Sequence, residues 1–316
     1  MSVSDQHPLR LIAGNAHPRL AESLAAELDV PLSTVEIEAF ADAETRVHVG
    51  DDVRHADVYL LQPTCTPVNE HLMVLALLAD AARAAGAARV RGVVPYFGYA
   101  RQDERGRAGD PRSAQVVGRL LGAVGVDHVI TLDLHSPALE SALPMPVTHL
   151  RADELFLPRV ESWNLRDLVV VSPDAGGMKR AQRYARGLGA PLAAIAKHRP
   201  QPDVAAALCV LGDVQGRDCV IVDDMASTGR TLHGAAEALR RAGARNLHAI
   251  FTHAVMAPGA MEQIRRARFG NVLTSDSLPT AAESWLEVVA IAPMLARAVR
   301  HLRGEDAGTN GSSRYE

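Results

Sequence analysis

Residues Val220–Thr231 read VIVDDMASTGRT, and this segment decides the fold class. Its beginning, Cys219–Val222, is apolar without polar alternation, which is typical of a parallel strand covered on both faces. An acidic pair and a small, hydroxyl-rich turn follow, and Leu232–Ala242 then carries apolar residues at helical spacing. A strand, a turn and a helix in this order predict an α/β protein with a mostly parallel sheet.

The turn after this predicted strand has the chemistry of a phosphate site. A strand-to-helix turn leaves the first N–H groups of the helix unpaired, and the helix dipole attracts an anion there. The hydroxyls of Ser227 and Thr228 add donors, while Asp223 and Asp224 suit the hydroxyls of a sugar or a hydrated Mg²⁺ ion. Together these groups describe a site for ribose 5-phosphate. The same residues also fit a plain helix N-cap, although the ordered pattern is longer than a cap requires.

Composition narrows the class of protein. The chain has 316 residues, which favours two domains, and its net charge of −4 gives no indication of affinity for nucleic acid or acidic membranes. Cys65, Cys209 and Cys219 are sparse and lack metal-type spacing, which argues against a disulfide framework or a zinc site. No apolar stretch is long enough to span a membrane and the N-terminus does not read as a signal peptide, so we expect a cytoplasmic protein.

Two tandem domains are predicted, over residues 1–150 and 151–303. Prolines interrupt the pattern between residues 144 and 158, and His128–Ser136 resembles Cys219–Ser227 as a buried strand that ends in an acid and a serine. The segment 304–316 is polar and rich in Gly and Ser, and we predict a disordered tail there.

Short apolar runs alternate with amphipathic helices along both halves, as in α/β proteins. The predicted strands are Leu9–Ala13, Val58–Gln62, Val90–Pro95, His128–Leu132, Leu168–Ser172, Leu192–Ala196, Cys219–Val222, Leu247–Thr252 and Val288–Ile291. The predicted helices are Pro18–Leu28, Val68–Ala85, Ala114–Val124, Met178–Leu188, Gly229–Ala242, Gly259–Ala267 and Pro293–Leu302.

A second segment with binding chemistry, Pro95–Asp103, reads PYFGYARQD and follows a predicted buried strand. Aromatic residues beside Arg101 and Gln102 suit a purine and its phosphates. Tyr96 and Phe97 fit equally well an aromatic cluster that closes the end of a sheet. Such a cluster does not explain the polar run that begins at Arg101.

Several segments, met in the same order, resemble the ribose-phosphate pyrophosphokinase family, also called phosphoribosyl-pyrophosphate synthetases, over nearly the whole chain. They are Gly14-Asn15, Phe40–Glu44, Gln62–Cys65 with Asn69, Tyr96–Asp103, Asp133–Ser136, Ser172–Gly177 and Asp223–Thr231. The resemblance implies two tandem domains of the type I phosphoribosyltransferase fold, each a mostly parallel sheet flanked by helices. The N-terminal domain would carry the ATP motifs, and the C-terminal domain the ribose 5-phosphate motif.

The resemblance also implies a reaction, in which ATP gives its pyrophosphoryl group to the anomeric hydroxyl of ribose 5-phosphate with Mg²⁺ as cofactor. The implied ATP-binding residues are Phe40, Asp42, Glu44, Arg101, Gln102, Asp103 and His135. The implied ribose 5-phosphate residues are Arg199, Asp223, Asp224, Ser227, Thr228, Gly229, Arg230 and Thr231. Lys197 and Arg199 would be catalytic, and His135 and Asp174 would be the magnesium-site residues.

The family further implies a homo-oligomer, a hexamer or else a dimer or tetramer, in which Phe40–Glu44 reaches the ATP of a neighbouring subunit. Two alternatives stay open, a non-catalytic regulatory homologue and a type I phosphoribosyltransferase. The chain departs from the family pattern at several positions, among them Ser227, which replaces a common Asp, and the segment Gly106–Ser113. Ala43 replaces a usual Gly, Glu104 replaces a usually basic residue, and Arg230 replaces a common Gly in the phosphate turn.

Overall fold

Two mostly parallel sheets organise the chain. The computed structural model describes residues 7–198 and 207–305. Within these residues the chain divides into two compact units, one that runs to Leu150 and resumes at Ile291, and one that covers Arg151–Ala290. None of the helices in the described ranges has the length and apolar character needed to cross a membrane.

The first unit is built on a five-stranded sheet in the order β1-β4-β5-β6-β7, with every neighbouring pair parallel. Its elements are β1 (Leu9–Ala13), α1 (Pro18–Leu28), β2 (Val35–Ala39), β3 (Thr45–Val49), β4 (Asp57–Leu61), α2 (Val68–Ala84), β5 (Arg89–Val93), α3 (Ser113–Ala123), β6 (His128–Leu132), α4 (Ala138–Ala142) and β7 (Val147–Leu150). Strand β4 is buried along its whole length, as expected for an inner strand of a parallel sheet. Strands β2 and β3 form a separate antiparallel hairpin that packs against α2.

The second unit contains a seven-stranded sheet in the order β10-β9-β8-β11-β12-β13-β14. Its elements are α5 (Asp153–Ser162), β8 (Val169–Ser172), α6 (Met178–Gly187), β9 (Leu192–His198), β10 (Ala207–Leu211), β11 (Asp218–Met225), α7 (Arg230–Arg241), β12 (Asn246–His253), α8 (Ala260–Arg266), β13 (Val272–Ser275) and β14 (Leu286–Val289). The edge strand β10 pairs antiparallel with β9, and the other neighbours are parallel. The predicted α/β class is confirmed.

The last helix, α9 (Ala292–Arg303), belongs to the first unit, where it packs on α1. The sequence-based division instead assigned residues 151–303 to the second domain. Nη1 of Arg303 lies 3.5 Å from Oδ2 of the buried Asp57 in β4. A local sequence pattern cannot predict this ion pair, because the two residues are far apart in the chain. Gly304 ends α9 in the left-handed conformation, with φ of 75°. The predicted disordered tail, 304–316, lies outside the described residues from position 306 onward.

Each predicted strand and helix overlaps an observed element, and Leu9–Ala13 and Pro18–Leu28 match residue for residue. The overlap is poorest for Val288–Ile291, which shares two residues with β14. The prediction missed β2, β3, β7, β10, β13, α4 and α5. Most of these elements are short, and β2 and β3 alternate charged with apolar residues because one face is open to solvent. Pro158, interpreted as a break, lies inside α5.

Candidate active site

An acidic pair lies at the carboxyl end of β11, the edge at which open α/β sheets bind ligands. Asp223 is half-buried and Asp224 is 3% exposed. The N–H group of Asp224 donates to Oδ1 of Asp223 at 2.9 Å, which fixes the two residues relative to each other. Strand β8 is the neighbour of β11 in the sheet, and the segment after it brings Asp174 to the same edge.

A buried arginine that the sequence analysis did not single out contacts both acids. Nη1 of Arg180, in α6, lies 3.7 Å from Oδ1 of Asp223 and 3.4 Å from Oδ1 of Asp224. Burial and the Asp224 carboxylate raise the pKa of Asp223 well above its usual value, and Arg180 acts in the opposite direction. The signal that could have identified Arg180 is a basic residue in the first turn of a helix, where the helix dipole disfavours a cation.

The phosphate turn joins β11 to α7 and is held by a neighbouring connection. Ala226 N–H donates to the carbonyl of His253 at 3.0 Å, and Ala257 N–H donates to that of Ser227 at 2.9 Å. Gly229 has φ of 73°, and a Cβ there would lie 2.8 Å from the carbonyl oxygen of Ala260. The chain therefore needs glycine at this position, both for its conformation and for space.

The first turn of α7 is open toward solvent. Thr228, Arg230 and Thr231 are exposed, and Ser227 is half-buried. Helix α7 has no side-chain cap among the described residues, and the contact from Arg230 N–H to Oγ1 of Thr228 is long, at 3.5 Å. The plain N-cap interpretation is therefore not supported, and the uncapped N–H groups remain suited to an anion.

Asp174 is exposed, and its carboxylate is oriented by its own turn. Oδ1 accepts from Gly177 N–H at 2.9 Å, while Ser172 Oγ donates to the Asp174 carbonyl at 2.7 Å. Within the described residues, no group of three or more His, Cys, Asp or Glu side chains is arranged to hold a metal ion. Asp174 therefore offers oxygen ligands of the kind that Mg²⁺ prefers, without a complete protein cage.

In the first unit, the segments after β1, β4, β5 and β6 meet at the carboxyl edge of the sheet. Gln62, fully buried, bridges two of these segments: Oε1 accepts from Ala16 N–H at 3.0 Å, and Nε2 donates to Asn15 Oδ1 at 3.1 Å. Thr64 Oγ1 accepts from Gly98 N–H at 2.6 Å, so the segment after β4 also supports the segment after β5.

In the segment after β5, the aromatic residues are buried, whereas the arginine and glutamine that follow them are exposed. Tyr96 is 8% exposed and Phe97 is 3% exposed, so both belong to the core and the purine-stacking interpretation is wrong for them. Arg101 and Gln102 are exposed, and Gln102 Oε1 accepts from Ser113 Oγ at 2.7 Å. Asp103 is half-buried.

Two other parts of the predicted site are exposed, and a third lies partly outside the described residues. His135 is exposed just after β6, and Phe40–Glu44 forms the exposed turn of the β2–β3 hairpin, with Phe40 54% exposed. Lys197 lies in β9 opposite Leu208 of β10. The side chain of Lys197 and the whole of Arg199 lie outside the described residues.

Both halves of the chain match models of known domains. Residues 9–125 match the N-terminal domain of ribose phosphate pyrophosphokinase, and residues 148–269 match the phosphoribosyl transferase domain. A ribose-phosphate pyrophosphokinase of Vibrio cholerae is 41% identical over 305 residues, which cover 95% of this chain and 97% of the relative. The chain belongs to the ribose-phosphate pyrophosphokinase family. A ribose-phosphate pyrophosphokinase of Thermosipho africanus is 38% identical over 301 residues, covering 94% of this chain and 95% of the relative.

A solved structure extends this family relationship to the fold. The crystal structure of phosphoribosylpyrophosphate synthetase from Mycobacterium smegmatis matches with a TM-score of 0.90 at 35% identity, and the match covers 94% of this chain and 99% of that chain. The predicted fold, two tandem domains of the phosphoribosyltransferase type, is thereby confirmed for this member of the ribose-phosphate pyrophosphokinase family.

Proposed function

We propose that the protein transfers the pyrophosphoryl group of ATP to ribose 5-phosphate, which gives 5-phosphoribosyl 1-pyrophosphate and AMP. The observation that carries the proposal is the uncapped N-terminus of α7 directly after the Asp223–Asp224 pair. It lies in a chain that aligns over 95% of its length with a named ribose-phosphate pyrophosphokinase. A phosphate socket beside carboxylates that accept from hydroxyls is what a sugar phosphate requires.

The reaction needs no covalent enzyme intermediate. The anomeric oxygen of ribose 5-phosphate forms a bond to the β-phosphorus, and the bond from that phosphorus to the oxygen bridging the α-phosphate breaks. AMP leaves with that oxygen, and the hydroxyl proton is released to solvent. Positioning of the two substrates and neutralisation of charge on the transferred group account for most of the catalysis in such reactions.

The second unit is the proposed ribose 5-phosphate half. The N–H groups from Thr228 to Thr231, together with the Ser227 and Thr228 hydroxyls, would bind the 5-phosphate. Asp223 and Asp224 would accept from the ribose hydroxyls. Gly229 lets the turn pack against Ala260, where a Cβ would lie 2.8 Å from the carbonyl oxygen. Lys197 and Arg199 would stabilise charge on the transferring group, as the family resemblance implies.

The first unit is the proposed ATP half. Arg101 and Gln102 are exposed and follow the buried residues Tyr96 and Phe97 in the chain. Together with Asp103 and His135 they would hold ATP. Phe40, Asp42 and Glu44 would receive the adenine of a neighbouring subunit, since the hairpin turn exposes all three side chains.

The donors present fit a Mg²⁺ ion that arrives bound to the phosphates of the substrate. Mg²⁺ bound to the phosphate chain supplies charge neutralisation, and it commonly takes one or two carboxylates in addition to phosphates and water. Asp174 offers such a carboxylate, and His135 is the second proposed residue of the site. Neither alternative function, a type I phosphoribosyltransferase or a regulatory homologue, gains a specific observation in its favour. A homo-oligomer in the cytoplasm completes the proposal.

Product analysis tests the proposed function. Incubation with ATP, Mg²⁺ and ribose 5-phosphate should yield AMP and phosphoribosyl pyrophosphate in equal amounts, and chelation of the metal should stop the reaction. Formation of ADP instead of AMP would show transfer of the γ-phosphoryl group and contradict the proposed reaction. Absence of turnover would favour the regulatory homologue.

A further inference from the structure

Arg180 occupies a position that helix stability does not explain. It is the third residue of α6, which begins at Met178 and has no acidic residue in its first turn. A cation there opposes the helix dipole, and Arg180 is only 8% exposed. Burial of a guanidinium is unfavourable unless it is paired with opposite charge.

Both carboxylates that offset this charge come from β11. Nη1 of Arg180 lies 3.7 Å from Asp223 and 3.4 Å from Asp224, so one guanidinium serves two carboxylates. Buried ion pairs of this kind often contribute little net stability compared with apolar residues of the same size. Carboxyl oxygens held in this way suit a ligand that donates hydrogen bonds.

The contacts to Asp223 also select one of its oxygen atoms. Arg180 Nη1 and the N–H of Asp224 both approach Oδ1, the latter at 2.9 Å. Arg180 and the Asp224 backbone therefore hold the Oδ1 side of the Asp223 carboxylate in place at the carboxyl edge of the sheet. Without Arg180, the two neighbouring carboxylates would repel each other and lose this fixed orientation.

We propose that Arg180 is a positioning residue for the sugar, because it holds Asp223 and Asp224 in the orientation that accepts the ribose hydroxyls. This inference rests on the proposed function. Arg180 itself does not touch the reacting atoms, and its action on the substrate passes through the two carboxylates. It should therefore affect recognition of the sugar and leave recognition of the phosphate to the α7 turn.

Binding measurements on the full chain separate these two parts of the substrate. Calorimetry would compare ribose 5-phosphate with methyl phosphate, a monoester that lacks the sugar. R180Q should weaken binding of ribose 5-phosphate by about 10- to 100-fold, the range for loss of hydrogen bonds to charged groups, with methyl phosphate affected less than about twofold. R180K keeps the positive charge but replaces the planar guanidinium by a compact ammonium group. Its affinity for ribose 5-phosphate should lie between those of the wild type and R180Q.

Arg183 provides the matched control on the same helix. It pairs with Asp153 at 3.1 Å in a partly buried ion pair that does not involve β11. R183Q should change the binding of either ligand by less than about twofold, because it removes a comparable ion pair without touching the acidic pair.

Two results would overturn the inference. Unchanged binding of ribose 5-phosphate by R180Q, or equal weakening of both ligands, would assign Arg180 a purely structural role. If R180Q does not fold, R180K decides, and an unchanged ratio of the two affinities would reject the inference. Failure of the wild-type protein to form AMP from ATP and ribose 5-phosphate would instead count against the proposed function, so the two failures are distinguishable.

Discussion

Ala43 lies in the turn of the β2–β3 hairpin, where the family usually has Gly. Its φ is 69°, and its N–H donates to the Phe40 carbonyl at 2.9 Å. A hairpin turn of this kind ends with a residue in the left-handed region, which favours glycine. Ala43 thus departs from the family's Gly at a position whose conformation is the one for which Gly is preferred.

Substitution of Ala43 by Gly should stabilise the hairpin. A left-handed conformation is unfavourable for a non-glycine residue by about 1–2 kcal/mol, and the added freedom of Gly in the unfolded chain offsets about 0.4–1 kcal/mol of the relief. We expect a net gain of about 0.5–1 kcal/mol, measured by thermal unfolding. Ala41→Gly, in the same turn but without positive φ, should lose stability. Equal effects of the two substitutions would show that the strain is absent.

Lys197 is the residue on which the catalytic proposal depends most. Lys197→Ala should lower kcat on the order of a hundredfold or more with little change in KM for ribose 5-phosphate, because a group that acts in the transition state affects kcat. Steady-state kinetics would measure both constants. Lys179→Ala, at an exposed position of α6, is the control and should retain activity. Activity of the Lys197 variant within a few-fold of wild type would contradict a catalytic role.

At the scale of elements, the β11–α7 turn depends on its packing against α8. Gly229 is the residue at which the two meet, since a Cβ there would lie 2.8 Å from the Ala260 carbonyl oxygen and 3.0 Å from Cβ of Gln263. The turn is thus shaped by α8, a helix that begins only at Ala260, so no local sequence pattern encodes this contact. Gly229 satisfies the packing because it has no Cβ that would contact the Ala260 carbonyl oxygen.

Gly229→Ala should therefore displace the turn and raise KM for ribose 5-phosphate by about tenfold or more, equivalent to about 1.4 kcal/mol of binding free energy. Gly216→Ala is the matched control, because Gly216 has a similar φ of 69° but no atom within 4 Å of an added Cβ. Kinetics at varied ribose 5-phosphate would compare the two. If both variants kept the wild-type KM, close packing at Gly229 would not matter for the substrate.

At the scale of the whole molecule, we expect the proposed site to be shared between subunits. The Phe40–Glu44 turn is exposed, and its carboxylates suit the exocyclic amine of adenine. We expect Asp42→Ala/Glu44→Ala and Lys197→Ala each to be nearly inactive alone. Co-expression should restore part of the activity, because a mixed oligomer combines an intact turn from one subunit with an intact Lys197 from another.

Mass measurement would confirm that mixed oligomers form in this experiment. The control is co-expression of each variant with itself, which offers no intact combination and should recover nothing. Confirmed mixed oligomers that remain as inactive as their parents would exclude a site shared between subunits.

The amino-acid sequence by itself determined the α/β class, most strands and helices, and the family. Buried parallel strands appear as continuous apolar runs, so strands such as Leu9–Ala13 and His128–Leu132 were predicted at their observed bounds. The strand-to-helix turn between β11 and α7 was predictable because Gly, hydroxyl residues and acids lie next to one another in sequence at Asp223–Thr231. Local patterns are sufficient where the chemistry is carried by consecutive residues.

The tertiary structure alone decided which distant residues meet. Arg180 reaches Asp223 and Asp224 because β8 and β11 are neighbours in the sheet, an order that no local pattern encodes. Burial of Tyr96 and Phe97 removed them from the proposed ATP site, and α9 joined the first unit through its contacts with α1. Strand order, burial and helix docking depend on contacts between segments far apart in the chain, and such contacts form only when the whole core is assembled.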